Sequence, residues 1–210
     1  MFVSPEAVVH EMAHTRGAGV PKDVLDGHKP QVWVSDRYTA QTGHGQDAQV
    51  CLAHVLRDVQ YAIDEGGEVF APGVHKLLRR TAAKHRLWGT VQPAAMAAHR
   101  RTADRRPDAL LALPVATTAH EKLRKHVVGW RAWYFTCLER PDVPPTNNIS
   151  ERALRPSVIM RKVTNGLRSW DGAHGHATIR SVIGTGALHG LSPLQAIQCA
   201  IAGRPICVTA

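Results

Sequence analysis

Two acidic residues of this sequence stand where a carboxylate could take part in catalysis. Asp36 directly follows the β-branched and aromatic run Val32–Ser35, and Glu151 lies in the stretch between Pro144 and Pro156. The end of a strand is a common place for catalytic groups in α/β folds. Two carboxylates brought together could hold Mg²⁺, which prefers oxygen ligands. A pair of such ions about 4 Å apart supports phosphodiester chemistry.

Each carboxylate also has a structural interpretation. Asp36 could cap the turn that follows its strand. Asn148 and Glu151 have the spacing of a capping box in which Asn148 is the N-cap of a helix. The residues alone leave both interpretations open.

Cys51 and His54 place a thiol and an imidazole at positions i and i+3 of a predicted helix. They are half of a zinc site at best, because a structural zinc ion needs four ligands and no second pair has a suitable spacing. A packed core pair is the alternative. The sequence also has no HExxH motif, Gly-rich phosphate loop or GxSxG motif.

Basic residues follow Glu151 closely, on the predicted helix and just beyond it. They are Arg152, Arg155, Arg161, Lys162 and Arg168. The whole chain has 26 Lys and Arg against 17 Asp and Glu, a net charge of +9. This balance favours a polyanionic partner, most simply nucleic acid. A solvated basic helix face is the alternative.

The composition argues against a secreted or membrane protein. The 44% of hydrophobic residues is ordinary for a globular protein, and no apolar run approaches the roughly 20 residues that cross a bilayer. The cysteines are too scattered for a disulfide framework, which favours a reducing, cytoplasmic setting. They are Cys51, Cys137, Cys199 and Cys207.

Hydrophobic patterning predicts a mixed chain with few strands and many helices. Residues 1–4 and 7–14 read as two short paired strands, and residues 32–36 as a buried strand. The region 87–114 mixes Ala, Arg and Pro and predicts helices or a loose connection. The predicted helices are residues 20–25, 47–65, 74–85, 120–138, 173–189 and 192–203, in addition to the short helix that Asn148 would cap.

Four segments in order resemble the insertion sequence 66 family of bacterial transposases. They are Val34-Ser35-Asp36-Arg37-Tyr38, the run from Cys51 to Asp58, the run from Asn147 to Pro156, and the run from Arg161 to Ser169. The resemblance extends from about Phe2 to Ile201. This part of the chain is similar to the C-terminal catalytic region of those proteins.

The resemblance implies a DDE mechanism, in which three acidic residues bind two Mg²⁺ ions for DNA hydrolysis and strand transfer. Asp36 matches the second of these residues and Glu151 the third. Cys51 and His54 match the family's CxxH element, whose role stays open. The expected partners are DNA, at transposon ends and target, and another copy or an intact transposase, with nucleoid association when DNA is bound.

The expected fold class is α/β, an incomplete RNase H-like core with a mainly helical insert and a helical C-terminus. Residues 1–46 would carry partial core strands, 47–140 the helical segment with the insert, and 141–210 the C-terminal part with Glu151. The family's first aspartate lies on a core strand upstream of the segment that matches Phe2. We therefore expect a truncated transposase that is inactive alone.

Two other interpretations compete with a DDE enzyme. One is a non-catalytic, basic remnant that binds DNA or an intact transposase. The other is an unrelated basic helical protein, which the four ordered segments disfavour. The number of core carboxylates separates the first two, because two are visible where the mechanism needs three.

Overall fold

The computed structural model describes residues 1–66, 69–115 and 117–206; Cys207 therefore lies outside the described residues. Contacts within the chain define two units. Unit 1 combines Met1–Val20 with Asn148–Ala210, and unit 2 is Pro21–Asn147. Helix α1 (Gly19–Leu25) contains the first boundary between them. The three functional regions expected from the sequence remain a prediction.

Unit 2 contains a pair of parallel strands, β3 (Val32–Ser35) and β4 (Asp47–Val50). Val32 is opposite Asp47, and Ser35 is opposite Val50. Strand β3 confirms the prediction for this run, although its residues are half-buried rather than buried. The prediction of a helix from Asp47 was wrong for its first residues, because residues 47–50 instead hydrogen-bond to β3 as a strand.

Four helices of unit 2 surround its apolar core. The helices are α2 (Leu52–Asp64), α3 (Phe70–His85), α4 (Pro93–Leu111) and α5 (Thr118–Trp130). Helix α4 begins with a proline at its first position, where the missing N–H costs nothing, and it covers most of the Ala-, Arg- and Pro-rich region. Leu52, Leu78, Met96 and Leu123, one from each helix in order α2 to α5, are buried in one cluster.

Gln49 ties β4 to the segment that follows α5. Its side chain is fully buried, and Nε2 donates to the carbonyl oxygens of Val50 at 2.7 Å and Tyr134 at 3.3 Å. Its Oε1 accepts a hydrogen bond from the backbone N–H of Cys137 at 2.8 Å. Short 3₁₀ turns at Arg131–Trp133 and Thr136–Leu138 make up this segment. A buried amide satisfied in this way fixes the strand to the helical layer.

Unit 1 contains a pair of antiparallel strands, β1 (Phe2–Val3) and β2 (Val8–Val9), as the sequence predicted. Strand β2 is joined to helix α7 (Trp170–Leu188) by two reciprocal hydrogen bonds. The N–H of Val8 donates to Thr185 Oγ1 at 3.1 Å, and that hydroxyl donates to the carbonyl of Val8 at 3.2 Å. The side chain of Val8 is buried.

Two further helices complete unit 1, α6 (Asn148–Val163) and α8 (Pro193–Ile201). Asn148 is already the first residue of α6, so the prediction of Asn148 as the N-cap was wrong by one position. Helix α6 ends at a turn in which Asn165 and Gly166 both have positive φ angles, of 56° and 104°. Ser192 and Gln195 form a capping box at the start of α8.

The described residues thus form an α/β chain dominated by helices, with two two-stranded sheets. This confirms the general fold class, while the RNase H-like core remains a prediction. None of the helices in the described part of the chain has the length and apolar character needed to cross a membrane.

Candidate active site

Asp36 lies immediately after β3, as the sequence predicted, and is half-buried. Its Oδ1 accepts a hydrogen bond from the backbone N–H of Tyr38 at 3.1 Å, which is the predicted turn cap. The hydroxyl of Ser35 donates to the carbonyl oxygen of Asp36 at 2.9 Å. These bonds fix the backbone at the strand end and use only one of the two carboxylate oxygens. A capping role and a ligand role are therefore compatible.

Asp36 borders a cavity of about 320 Å³. The other residues that line it are Arg37, Tyr38, His54, His126 and Trp130. The pairing of β3 with β4 brings His54 towards Asp36, because the N–H of Cys51 donates to the carbonyl of Ser35 at 2.8 Å and α2 starts at the next residue. Helix α5 supplies His126 and Trp130. The volume is at the lower end of the usual range for ligand pockets, about 300 to 1,000 Å³.

Arg37 is held in place by an ion pair that sequence reasoning did not identify. Its Nη2 pairs with Asp58 on α2, and His126 Nδ1 on α5 lies 3.8 Å from the same carboxylate. Burial lowers the pKa of Arg37. Burial, and then the charge of Arg37, lower the pKa of His126, which favours a neutral imidazole. Asp36 is therefore next to a residue anchored to α2.

Cys51 and His54 have different surroundings, although both belong to the same short segment. Cys51 is fully buried at the N-cap position of α2, where its side chain makes no capping bond. His54 is half-buried and lines the cavity beside Asp36. Among the residues that the structure describes, no three His, Cys, Asp or Glu side chains gather in a way that could hold a metal ion.

Glu151 lies in the first turn of α6 and is exposed. A negative charge is favourable there, because the positive end of the helix dipole is at the N-terminus. Glu151 belongs to unit 1 and Asp36 to unit 2. Their assignment to a single metal site remains a prediction.

The five basic residues proposed to meet phosphates are all exposed. At about 100° per residue, Arg155 and Lys162 lie on one side of α6, with Arg152 nearby. Arg161 points to the opposite side from Arg152. Arg168 lies beyond α6, just before α7. Cations in the last helical turn are also favoured by the dipole, so Arg161 and Lys162 have a structural role as well.

The Mg²⁺ that the resemblance implies can be tested against these positions. The carboxylate of Asp36 has one oxygen outside its turn bond, and Asp58 is paired with Arg37. No cluster of three possible metal ligands occurs within residues 1–66, 69–115 and 117–206. The described residues therefore do not form a complete metal site.

The comparisons with known proteins agree with the motifs. The family model described as "Transposase IS66 family" matches residues 2–175. This range includes Asp36, Cys51, His54, Glu151 and all five of the basic residues. No curated protein and no solved structure matches the chain.

Proposed function

This chain belongs to the IS66 family of transposases, and from that membership we propose that it takes part in the cleavage and joining of DNA during transposition. The observation that carries the proposal is the match over residues 2–175, which covers the four ordered motifs. The position of Asp36 at the end of β3, beside a cavity, supports a catalytic role for its carboxylate.

Asp36 and Glu151 are the proposed acidic residues of the reaction. In the DDE scheme these carboxylates would hold divalent cations, which would supply positive charge for phosphodiester chemistry. Two interactions support this role for Asp36, because they fix the backbone around its carboxylate. They are the hydrogen bond from the N–H of Tyr38 and the ion pair of Arg37 with Asp58. Glu151 lies within the matched range and in the first turn of α6, and both facts support its place among the acidic residues.

The proposed DNA contacts on unit 1 are the five basic residues from Arg152 to Arg168. Their exposure supports contact with phosphate oxygens, which attract guanidinium and ammonium groups irrespective of base sequence. The same contacts would serve a non-catalytic protein that occupies DNA or joins an intact transposase. This is the second candidate function.

Neutral variants of the two carboxylates test the catalytic proposal. A plasmid carrying the gene with its flanking DNA would be scored for transposition into a second plasmid. We expect Asp36→Asn and Glu151→Gln each to reduce the frequency at least about 100-fold, because loss of a catalytic group removes several kcal/mol of transition-state stabilisation.

Asp142→Asn is the matched control, because Asp142 is an exposed carboxylate of unit 2 whose partner Arg140 is two residues away. It should transpose like the unchanged protein. Wild-type frequency in Asp36→Asn would contradict the catalytic role of Asp36. No transposition with the unchanged chain, together with a changed frequency when an intact family transposase is added, would favour the second candidate function.

A further inference from the structure

Helix α4 of unit 2 carries an exposed group of arginines that the proposed function does not use. Arg101, Arg105 and Arg106 line a shallow depression of about 400 Å³ on one side of the helix. The other residues that line it are Ala98, Thr102 and Ala109. All six are exposed. We call this surface the arginine face.

The arginine face has small residues in the middle and guanidinium groups on both flanks. At about 100° of rotation per residue, the positions of Ala98, Thr102 and Ala109 fall within about 40° of each other around the helix axis. Arg101 and Arg105 lie on one side of this floor, and Arg106 lies on the other. The hydroxyl of Thr102 donates to the carbonyl of Ala98 at 2.9 Å, so the floor has little hydrogen-bonding capacity of its own.

The acidic residues of α4 are bound elsewhere. Asp104 lies 2.9 Å from Arg100, which also contacts Glu139 at 3.1 Å, and Asp108 pairs with Arg131. None of the three arginines of the face forms a salt bridge with a residue that the structure describes. Three positive charges are therefore uncompensated on one exposed surface. Such a surface attracts a polyanion.

The composition of the face distinguishes among polyanions. Single-stranded nucleic acid is held by aromatic side chains on which bases stack, and the face has none. A membrane-binding helix buries large apolar side chains, whereas the floor here is alanine and threonine. Small residues flanked by arginines instead suit the backbone of a duplex. Arg101 and Arg105 are about 6 Å apart along the axis of α4. This distance spans about two phosphates of one B-DNA strand, which follow each other every 3.4 Å or so along the DNA axis.

We propose that the arginine face of α4 binds the phosphate backbone of duplex DNA, as a contact surface separate from the basic residues of α6. The choice of DNA as the duplex rests on the proposed transposition function. The surface supplies affinity without sequence readout, because guanidinium contacts to phosphates do not depend on the base.

The test is equilibrium binding of a fluorescein-labelled 30-base-pair DNA duplex, measured by anisotropy between 50 and 200 mM KCl. The triple variant Arg101→Ala, Arg105→Ala, Arg106→Ala should bind at least about tenfold more weakly at the lower salt concentrations. The slope of log K against log salt should fall by about 2 to 3, since each lost phosphate contact removes about 0.9. The variant should fold normally, because the replaced side chains are exposed and alanine favours helix.

A second triple variant controls for the loss of net charge. Lys22→Ala, Lys29→Ala, Arg57→Ala removes three exposed positive charges of unit 2 from residues outside α4. It should keep the wild-type slope. Equal losses in the two triple variants, or no loss in the first, would overturn the proposal.

Two further probes identify the polyanion. They are an RNA duplex of the same sequence and phosphatidylserine vesicles. If either one binds more tightly than the DNA duplex, and loses that binding only in the arginine-face variant, the choice of DNA is overturned. The readout involves no strand cleavage. A failure of the proposed function in the Asp36→Asn assay is therefore distinguishable from a failure here.

Discussion

His10 is a buried imidazole of unit 1 whose surroundings disfavour its charged form. The residue is only 6% exposed, and its Nε2 is buried without a hydrogen-bond partner among the described residues. Burial first, and then the positive charges of Arg180 and of the N-terminal amino group, lower the pKa of His10 from 6.5 to about 4. The backbone N–H of His10 donates to Ser181 on α7 at 2.8 Å, so the ring lies at a tertiary contact.

Unit 1 should therefore lose stability as the pH falls from about 6.5 to about 4. In this window the unfolded chain binds a proton at His10 and the folded chain does not, so protonation favours unfolding. The loss should be about 2 kcal/mol at pH 5, since one pKa unit corresponds to 1.36 kcal/mol. Hydrogen exchange of the α7 amides at pH 7 and pH 5 would measure it.

His10→Gln is the control, because glutamine does not titrate and the bond from residue 10 to Ser181 uses the backbone. This variant should show a smaller difference between pH 7 and pH 5 than the unchanged protein. An equal difference in both would mean that other groups cause the pH dependence.

Asp36 illustrates how far a single residue could be predicted. Its position at a strand end follows from the apolar run before it, and its turn bond to Tyr38 follows from its own chemistry. Its neighbours His126 and Trp130 are about ninety residues away in sequence, on or near the end of α5. Nothing in local spacing identifies such partners. The pairing of Arg37 with Asp58 is hidden for the same reason, although both lie in recognised motifs.

At the scale of elements, the contact between α7 and β2 depends on a glycine. A Cβ atom at Gly184 would lie 2.9 Å from Cβ of Val8, closer than real Cβ atoms come. Gly175, in the same helix, has open space where its side chain would be. Substitutions at the two glycines therefore separate two effects. One is the close approach of α7 to Val8, and the other is the general destabilisation of a helix by glycine.

Gly184→Ala should destabilise unit 1 by about 1 to 3 kcal/mol, because the added methyl group forces α7 away from Val8. Gly175→Ala should stabilise it by about 0.5 to 1 kcal/mol, since alanine loses less backbone entropy in a helix. Urea unfolding, followed through the exchange of α7 amides, gives both values. Stabilisation by both substitutions would contradict the tight contact.

Helical periodicity located most of the long elements but misassigned residues 47–50. Their apolar positions suit one face of a helix when read together with α2. In the structure these residues pair with β3, and Gln49 is satisfied by groups of Tyr134 and Cys137. Strand pairing and burial of a polar side chain are long-range effects that override local preference. The hydrophobic pattern within a short window of sequence carries no information about these long-range effects.

At the scale of the whole molecule, unit 2 has its own apolar core and one continuous segment of chain. Its buried core residues come from β4, from α2 through α5 and from the segment between Tyr134 and Val143. Unit 1 instead needs two segments, because β2 comes from the start of the chain and α7 from near its end. A domain with its own core can fold alone.

Residues 21–147 expressed alone should therefore give a helical protein with one cooperative thermal transition by circular dichroism. Residues 148–210 alone should not, because Val8 is missing from its contact with α7. A gradual, non-cooperative loss of helix in residues 21–147 would contradict the division into units.

The separation of Val8 from Thr185 by 177 residues also sets the timing of folding during synthesis. A ribosome adds about 5 to 20 residues per second, so roughly 9 to 35 s pass between the two ends of this one contact. The strands β1 and β2 are made before α7 and lack the helix that packs on Val8 for all of that time. In a growing polypeptide, the apolar side chain of Val8 therefore stays without its partner helix until α7 has been made.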